Sequence, residues 1–296
     1  MNVSADLLHL ANIMLLVWLA GCALLAGLML HPVTRGRIHG LWPLMLSEAA
    51  ILFAGTLPWL LPQPILGLAI AVAAGRIGYE SATVNATPAQ PKAGILGACL
   101  LAGIAMAAWF LGSKNWPAGL SLLALMAAVI MVISLRHSRF QWLGQFLIFP
   151  GLPVALFVLA ARRFDVGFIF VLSFLIVEIF DSFSLLGGRL FGKRLFAPRL
   201  SPKKTWEGLA AGLLAVAFSA FALASILGKE LLLIAAVAVA ATAGAVAGDL
   251  LASAAKRRAG VKDYPVILPI QGGLLDIMDA WIVAGPLAAF TAMALS

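Results

Sequence analysis

Charged residues are scarce in this chain. Lys and Arg number 20 and Asp and Glu number 12, so only 11% of the 296 residues are charged, whereas soluble domains have about 25% charged residues. Hydrophobic residues make up 63% of the sequence, and the mean hydropathy is +1.06. This composition excludes a soluble globular domain, an intrinsically disordered chain and a secreted disulfide scaffold.

Cysteine is almost absent, and the usual marks of a leader peptide are missing. The two cysteines, Cys22 and Cys99, lie in separate apolar runs, which argues against a disulfide or a cysteine metal site. The first residues lack both the positively charged start and the small-residue cleavage site of a signal peptide. Residues 7–30 are therefore predicted to remain in the protein as a membrane span.

Long apolar runs are what the sequence has in abundance. A membrane helix needs about 20 mostly apolar residues. The chain is therefore predicted to be an all-α polytopic integral membrane protein with about 9–10 transmembrane helices, ten being favoured and nine the alternative. The ten runs cover residues 7–30, 41–61, 65–79, 93–113, 118–135, 143–161, 166–186, 208–228, 231–251 and 272–295.

The positive charges fall mainly on one side of this arrangement. With ten spans, the connecting loops fall alternately on the two sides of the membrane. The side that contains the two C-terminal loops, around 187–207 and 252–270, carries 16 of the 20 Lys and Arg residues. Cytoplasmic loops carry this excess, so both loops are predicted to face the cytoplasm. The net charge of +8 is thus explained by loop charge, and nucleic acid is not an expected partner.

Six acidic residues lie within apolar runs, and five of them come after about residue 170. A carboxylate at the centre of a membrane helix costs about 2.5–3.5 kcal/mol on insertion scales, so such residues need partners. We predict a polar, cytoplasm-facing cavity formed by the C-terminal helices. Residues 1–165 would be an N-terminal scaffold that also mediates dimerisation, and 166–296 the catalytic region. The six acids are Glu48, Glu178, Asp181, Asp249, Asp276 and Asp279.

Two pairs of these acids have helical spacing. Asp276 and Asp279 are three residues apart, as are Glu178 and Asp181, so each pair shares one helix face. Paired carboxylates near a membrane surface suit a divalent cation, which prefers oxygen ligands. Ion-paired structural acids and a proton relay in a transporter are the open alternatives.

The first C-terminal loop, residues 187–208, carries six basic residues and several glycines. It begins like a P-loop, but Arg194 replaces the required Ser or Thr and the segment follows a membrane helix instead of a strand, so a P-loop is rejected. A purely topogenic role for the charges is the alternative to phosphate binding. Phosphate binding is favoured by hydroxyl groups among the charges, in the stretch Ser201-Pro202-Lys203-Lys204-Thr205.

The second loop alternates acids, basic clusters and paired glycines within 32 residues, from Gly248 to Asp279. Such an alternation can hold a cation between aspartates and direct Lys and Arg at the phosphates that the cation bridges. These are the requirements of phosphoryl or nucleotidyl transfer.

At these residues the sequence resembles the phosphatidate cytidylyltransferases (CDP-diacylglycerol synthases). The family's signature reads S-x-x-K-R-x4-K-D, then L-P-x-H-G-G-x-x-D-R-x-D. An upstream stretch, D-S…G…G-K…S-P-x-K-T, matches at Asp181-Ser182, Gly188, Gly192-Lys193 and 201–205. The likeness covers about residues 178–285. The signature positions that match are Ser253, Lys256, Arg257, Lys262, Asp263, Leu268, Pro269, Gly272, Gly273, Asp276 and Asp279.

The resemblance implies the reaction CTP + phosphatidate → CDP-diacylglycerol + pyrophosphate, at a bacterial inner membrane. It implies Mg²⁺, with a second, monovalent cation as a further candidate, and a homodimer in contact with membrane lipids. The metal ligands would be Asp181, Asp249, Asp276 and Asp279. The residues carried over as catalytic are Lys204, Lys256, Arg257, Lys262 and Gln271. Those carried over as substrate-binding are Ser201, Lys203, Thr205, Ser253, Gly272 and Gly273.

Two departures from the signature bear on activity. Gln271 stands where the family has His, and Ile277 where it has Arg. Glutamine donates and accepts hydrogen bonds but carries no proton at neutral pH. Because every acid is retained, a divergent active member is favoured. The alternatives are an inactive or altered-substrate relative that binds lipid phosphate or nucleotide, and a cation- or proton-coupled transporter. A CDP-alcohol phosphotransferase would require a D-G-x2-A-R…G-x3-D-x3-D pattern, which the sequence lacks.

Overall fold

A computed structural model describes residues 3–38, 40–86, 90, 92–114, 116–137, 140–163 and 167–295. Helices account for nearly all of its regular structure. In chain order the elements are α1 (Val3–Leu30), α2 (Pro32–Ile38), α3 (Trp42–Thr56), α4 (Gln63–Asn85), α5 (Ala93–Lys114), α6 (Trp116–Arg136), α7 (Gln141–Phe146), α8 (Leu152–Arg163), α9 (Gly167–Phe191), β1 (Leu195–Ala197), β2 (Ser201–Thr205), α10 (Trp206–Leu227), α11 (Leu231–Arg258), α12 (Leu274–Met278) and α13 (Trp281–Leu295).

Within these ranges, ten helical segments are long and apolar enough to cross a membrane. Two of them are interrupted. The segment Gln141–Arg162 joins α7 to α8 through a π-helical turn, and Leu274–Leu295 joins α12 to α13. The prediction of an all-α polytopic membrane protein is confirmed, and the higher of the two predicted span counts is correct.

The core is built around α9. An aromatic cluster surrounds its first half, with Trp59 stacked on Phe170 at 4.8 Å between ring centroids and Phe157 edge-on to Phe170 at 4.6 Å. Trp281 joins the cluster and donates its indole N–H to the Ser173 hydroxyl at 3.2 Å. The start of α13 is thereby fixed against α9, close to the acids of the signature.

Small residues let α11 and α13 approach closely. A side chain at Gly248 would collide with the backbone carbonyl of Asp279, and one at Gly244 would lie 2.6 Å from the Ala284 backbone. Close backbone approach through small residues is a common way for membrane helices to pack. Because Gly248 precedes Asp249, this packing brings Asp249 and Asp279 to the same end of the bundle.

The first C-terminal loop contains a β-hairpin that the sequence did not predict. Strands β1 and β2 pair antiparallel, with Leu195 opposite Thr205 and Ala197 opposite Ser201. Glu207 closes its base, since one carboxylate oxygen accepts the backbone N–H groups of both Lys193 and Arg194, at 3.0 and 3.1 Å. The segment expected to be a flexible loop therefore has a defined structure.

Candidate active site

A cavity of about 790 Å³ lies among α1, α3, α9, the hairpin, α11 and the loop before α12. Its two walls differ in character. One wall carries acids, lysines and hydroxyl groups, nearly all from α9 onward, together with Glu48 of α3. The other wall is apolar and consists of side chains from α1, α3 and the segment between α2 and α3, among them Met14, Val17, Trp18, Leu24, Leu25, Leu41, Leu44 and Met45.

Most of the residues singled out from the sequence line this one cavity. Five do not. Ser253 is buried within α11, Arg257 and Lys262 are exposed, and Gly272 and Gly273 are buried in the loop. Arg257 donates to the Val261 carbonyl at 3.1 Å instead. The predicted residues that do line the cavity are Asp181, Ser201, Lys203, Lys204, Thr205, Asp249, Lys256, Gln271, Asp276 and Asp279.

Asp276 is fully engaged by hydrogen bonds. Its Oδ1 atom lies 2.7 Å from the Lys256 ammonium group. Its Oδ2 atom accepts the backbone N–H groups of Tyr264 at 2.8 Å and Gly273 at 2.9 Å. Asp276 thus orients Lys256 and closes the loop that precedes α12.

The other three predicted metal ligands surround two ammonium groups. Lys204 forms an ion pair with Asp249 at 2.5 Å. Asp181 interacts electrostatically with Lys204 and Asp249, and Asp279 interacts with Asp249, Lys256, Asp181 and Lys204. No hydrogen-bond donor within the described ranges contacts the side chain of Asp181 or Asp279. These two carboxylates therefore retain oxygen atoms that can accept a ligand.

The acids fit a cation that is shared with a phosphate better than one held by the protein alone. In the described part of the chain, no three His, Cys, Asp or Glu side chains are grouped closely enough to hold a metal ion. Mg²⁺ is commonly held by one or two carboxylates together with substrate phosphates, without an all-protein cage. The carboxylate oxygens present are ligands of the kind that Mg²⁺ prefers.

A buried contact that was not predicted from the sequence joins α4 to the loop before α12. Glu80 is fully buried and accepts the backbone N–H groups of Leu274 at 2.9 Å and Leu275 at 2.8 Å. Arg76 donates to Glu80 at 2.7 Å and to the Pro265 carbonyl at 2.9 Å. Arg76 lies inside the third apolar run, 65–79, and Glu80 directly follows that run. The usable signal was their spacing of four residues on one helix.

Glu80 also explains the second glycine of the signature. A Cβ atom at Gly273 would lie 2.5 Å from Glu80 Oε2. Gly272 has a φ of +96°, a conformation that favours glycine. The backbone geometry therefore accounts for both glycines, which were predicted to bind substrate.

Gln271 is held by α3. Its side-chain nitrogen donates to the Ser47 hydroxyl at 2.9 Å and to Glu48 Oε1 at 3.1 Å. Glu48 also interacts electrostatically with the carboxyl group of Glu178. No chemical role was predicted for Ser47 or Glu48, yet Glu48 and Glu178 both line the cavity.

Tyr264 belongs to the loop that precedes α12, and the centroid of its ring lies 5.5 Å from the Lys256 ammonium group. Burial, followed by the negative charges of Asp276, Asp279 and Glu80, raises the pKa of the Tyr264 hydroxyl. The described residues provide no hydrogen-bond partner for this hydroxyl. Tyr264 thus contributes a neutral, packed ring under Lys256.

Comparison with known proteins identifies the family. Residues 35–295 match the model of the Cytidylyltransferase family. The chain belongs to this family. The match includes α3 and α4 as well as the C-terminal signature, so the residues that contact the signature loop from the N-terminal half lie within it.

Three relatives of this chain share the name phosphatidate cytidylyltransferase. The chain is 29% identical to the phosphatidate cytidylyltransferase of Rickettsia bellii over 205 residues, which cover 64% of this chain and 88% of that protein. It is 38% identical to the phosphatidate cytidylyltransferase of Haemophilus influenzae over 125 residues, covering 40% and 43% of the two chains. It is 40% identical to phosphatidate cytidylyltransferase 5, chloroplastic, of Arabidopsis thaliana over 129 residues, covering 43% and 32%.

Proposed function

We propose that this chain transfers a cytidylyl group from CTP to phosphatidate, giving CDP-diacylglycerol and pyrophosphate for phospholipid biosynthesis. The observation that carries the proposal is the cavity with one apolar wall and one wall of acids and lysines, in a member of the Cytidylyltransferase family. Such a cavity accommodates a lipid and a polyphosphate side by side. The name shared by the relatives supports this pair of reactants.

In the proposed reaction, an oxygen of the lipid phosphate attacks the α-phosphorus of CTP and pyrophosphate leaves. No covalent enzyme intermediate is required. Lys203, Lys204 and Lys256 line the cavity and would neutralise the phosphate oxygens, since fixed positive charge stabilises the charge that develops in the transition state. Ser201 and Thr205 would donate hydrogen bonds to phosphate.

The exposed cations outside the cavity have a different proposed role. Arg257 and Lys262 lie on the surface near it and would attract the anionic nucleotide through long-range electrostatics. Ser253, buried in α11, and the glycine pair would shape the loop without contacting substrate.

Mg²⁺ is part of the proposal. Asp181 and Asp279 would hold it together with phosphate oxygens, with Asp249 beside them ion-paired to Lys204, and the ion would supply positive charge to the reacting phosphates. The Asp276 carboxylate already accepts hydrogen bonds from three donors. Asp276 would therefore position Lys256 and the loop instead of binding the ion. The second, monovalent cation stays a prediction.

The rival functions are less well supported. A proton- or cation-coupled transporter would have acids through the depth of the membrane, whereas these acids gather around one cavity beside the basic segments. Retention of the acids and lysines argues against an inactive relative. We also propose that the cavity faces the cytoplasm of a bacterial inner membrane. The homodimer stays a prediction, which crosslinking in native membranes tests.

An assay of the purified protein tests the proposal. Radiolabelled CTP is supplied with Mg²⁺ and phosphatidate, and in parallel with other lipid phosphates. We expect a labelled lipid and pyrophosphate in equal amounts with phosphatidate. As a matched control, Lys229→Met changes a lysine that pairs with Asp6 away from the cavity and should retain activity. Absence of labelled lipid with every lipid phosphate would refute the proposed function.

A further inference from the structure

The Gln271 amide has one favourable orientation. Its nitrogen lies 2.9 Å from the Ser47 hydroxyl and 3.1 Å from Glu48 Oε1. The Ser47 hydroxyl donates its only proton to the Leu44 carbonyl at 2.7 Å, so towards Gln271 it can only accept, and a reversed amide would place a second acceptor against it. The NH₂ group therefore faces α3. The amide donor that could have held a phosphate is already used by α3.

The carbonyl oxygen of Gln271 accepts no hydrogen bond from the described residues, whereas the amide nitrogen makes two. Gln271 is a lining residue, and its side-chain hydrogen bonds within the described chain are the two from its nitrogen. A carbonyl oxygen only accepts hydrogen bonds, so it repels phosphate oxygens, which the cavity's lysines attract. This atom suits an uncharged N–H or O–H group.

We infer that Gln271 is a specificity-determining residue whose carbonyl oxygen accepts a hydrogen bond from the amino group or a ribose hydroxyl of the nucleotide. Ser47 and Glu48 are positioning residues that hold the amide for this contact. The inference rests on the proposed function, because it takes CTP as the nucleotide. The diacyl lipid phosphate offers no uncharged amino or alcohol group, so the nucleotide is the source of the donor.

The inference separates two kinds of recognition in the cavity. Lysines bind phosphates, which every nucleoside triphosphate has, and cannot distinguish one nucleotide from another. A single fixed acceptor distinguishes nucleotides that differ by one donor, because a ligand lacking the donor leaves the acceptor unpaired. Two residues far from the signature in sequence thus contribute to the selection of the nucleotide.

The test compares CTP with UTP, 2′-deoxy-CTP and 3′-deoxy-CTP in wild type and in Gln271→Leu. One of the three analogues lacks the donor that Gln271 contacts. In wild type, kcat/KM for that analogue should be about tenfold below that for CTP, the effect of one neutral hydrogen bond of ~1.4 kcal/mol. In Gln271→Leu, KM for CTP should rise about tenfold, kcat should change less, and the discrimination against that analogue should disappear.

Variants of α3 test the positioning role. Glu48→Gln keeps an acceptor for the amide and should preserve discrimination, whereas Glu48→Leu and Ser47→Ala should weaken it. Met45→Leu, which changes another α3 residue of the cavity wall, is the matched control and should leave discrimination unchanged. Because Ser47→Ala is a small change, it keeps the test valid if Glu48→Leu fails to fold.

The possible results separate the inference from the proposed function. Wild type that neither transfers from CTP nor binds it in equilibrium dialysis refutes both. Wild type that transfers, while Gln271→Leu slows CTP and all analogues equally, refutes the inference alone. A shift of the Mg²⁺ requirement in Gln271→Leu, with nucleotide discrimination intact, also refutes it, since it would make the carbonyl oxygen a metal ligand.

Discussion

Leu275 donates its backbone N–H to the Glu80 carboxylate at 2.8 Å, across 195 positions of the chain. Glu80 accepts the neighbouring amide of Leu274 as well, so α4 fixes the first turn of α12. Asp276 lies in that turn and Asp279 follows it directly. The orientation of both signature acids therefore depends on an acid that lies outside the signature.

Replacing Glu80 should destabilise the whole protein. Glu80→Ala would leave two amides and the Arg76 guanidinium without their acceptor, which we expect to cost about 3 kcal/mol of unfolding free energy. Thermal unfolding in detergent measures the effect as a lowered Tm. Glu230→Ala is the matched control, because Glu230 is exposed and its side chain makes no capping hydrogen bond to α11. Equal Tm values for the two variants would contradict the role given to Glu80.

Gly273 and Glu80 should be coupled. Gly273→Ala places a methyl group against Glu80 Oε2, at 2.5 Å, and should lower both Tm and activity. Gly103→Ala, where a Cβ atom would meet nothing within 4 Å, is the control. In the double variant Glu80→Ala, Gly273→Ala, the clash with Glu80 is gone and only the Pro265 carbonyl, at 3.0 Å, stays close, so the two losses should be less than additive. Full additivity in Tm would argue against a direct clash.

Asp279 and Asp276 should respond differently to the same change. Asp279 is 7% exposed and has no hydrogen-bond donor within the described residues, so Asp279→Asn should leave Tm unchanged or raise it. Its transfer activity should fall about 10²–10³-fold, as for loss of fixed charge stabilisation.

Asp276→Asn weakens the contact with Lys256 and should lower both Tm and activity. Thermal unfolding and CTP transfer, measured on the same preparations, show whether each aspartate serves catalysis alone or also stabilises the fold. A lowered Tm in Asp279→Asn would assign it a structural role too.

Tyr264 should limit stability at high pH. Since burial raises its pKa above the ordinary value near 10, the hydroxyl is neutral in the folded protein but ionises in the unfolded chain above about pH 10. Its contribution is therefore complete below pH ~10 and is lost as the pH rises further. Between pH 8 and 11, the Tm of Tyr264→Phe should fall less than the Tm of wild type. Tyr79→Phe, at a partly exposed tyrosine, should behave like wild type. Parallel curves for Tyr264→Phe and wild type would count against this.

The proposed orientation can be tested by labelling. After Cys22 and Cys99 are replaced, a cysteine introduced at Arg199 in the hairpin should be shielded from an impermeant thiol reagent in intact cells and react after permeabilisation. A cysteine at Glu230, in the connection between α10 and α11 at the opposite end, should react in intact cells. The reverse pattern would place the cavity on the outer side of the membrane.

The sequence predicted those features that depend on local composition. Apolar runs identified the helices, the spacing of three residues paired Asp276 with Asp279, and the resemblance to the family signature added Lys256. The contacts that hold the loop from the N-terminal half were not predicted; they involve Arg76, Glu80, Ser47 and Glu48. Their partners are about 190 to 220 positions away, and no local pattern encodes such a distance. The hairpin was not predicted because its strands have only three and five residues, and β2 contains Pro202 and two lysines, residue types that are depleted in strands.

The predicted boundary at residues 165 and 166 describes chemistry better than folding. Most cavity acids and lysines come after it, but the loop before α12 and the first turn of α12 are held by α3 and α4. A C-terminal fragment from residue 166 would retain the signature and lose the contacts that fix it. The basic residues of the signature are therefore insufficient without the first half of the chain.

The apolar wall formed by α1 and α3 affects how the proposed reaction would be measured. A substrate that reaches the cavity along this wall is dissolved in the bilayer, so its availability is set by its mole fraction among the lipids. Adding inert lipid at constant phosphatidate would then slow turnover by surface dilution, while the bulk concentration of CTP stayed the same. The enzyme would respond to two independent scales of concentration, one per unit membrane area and one per unit volume of water.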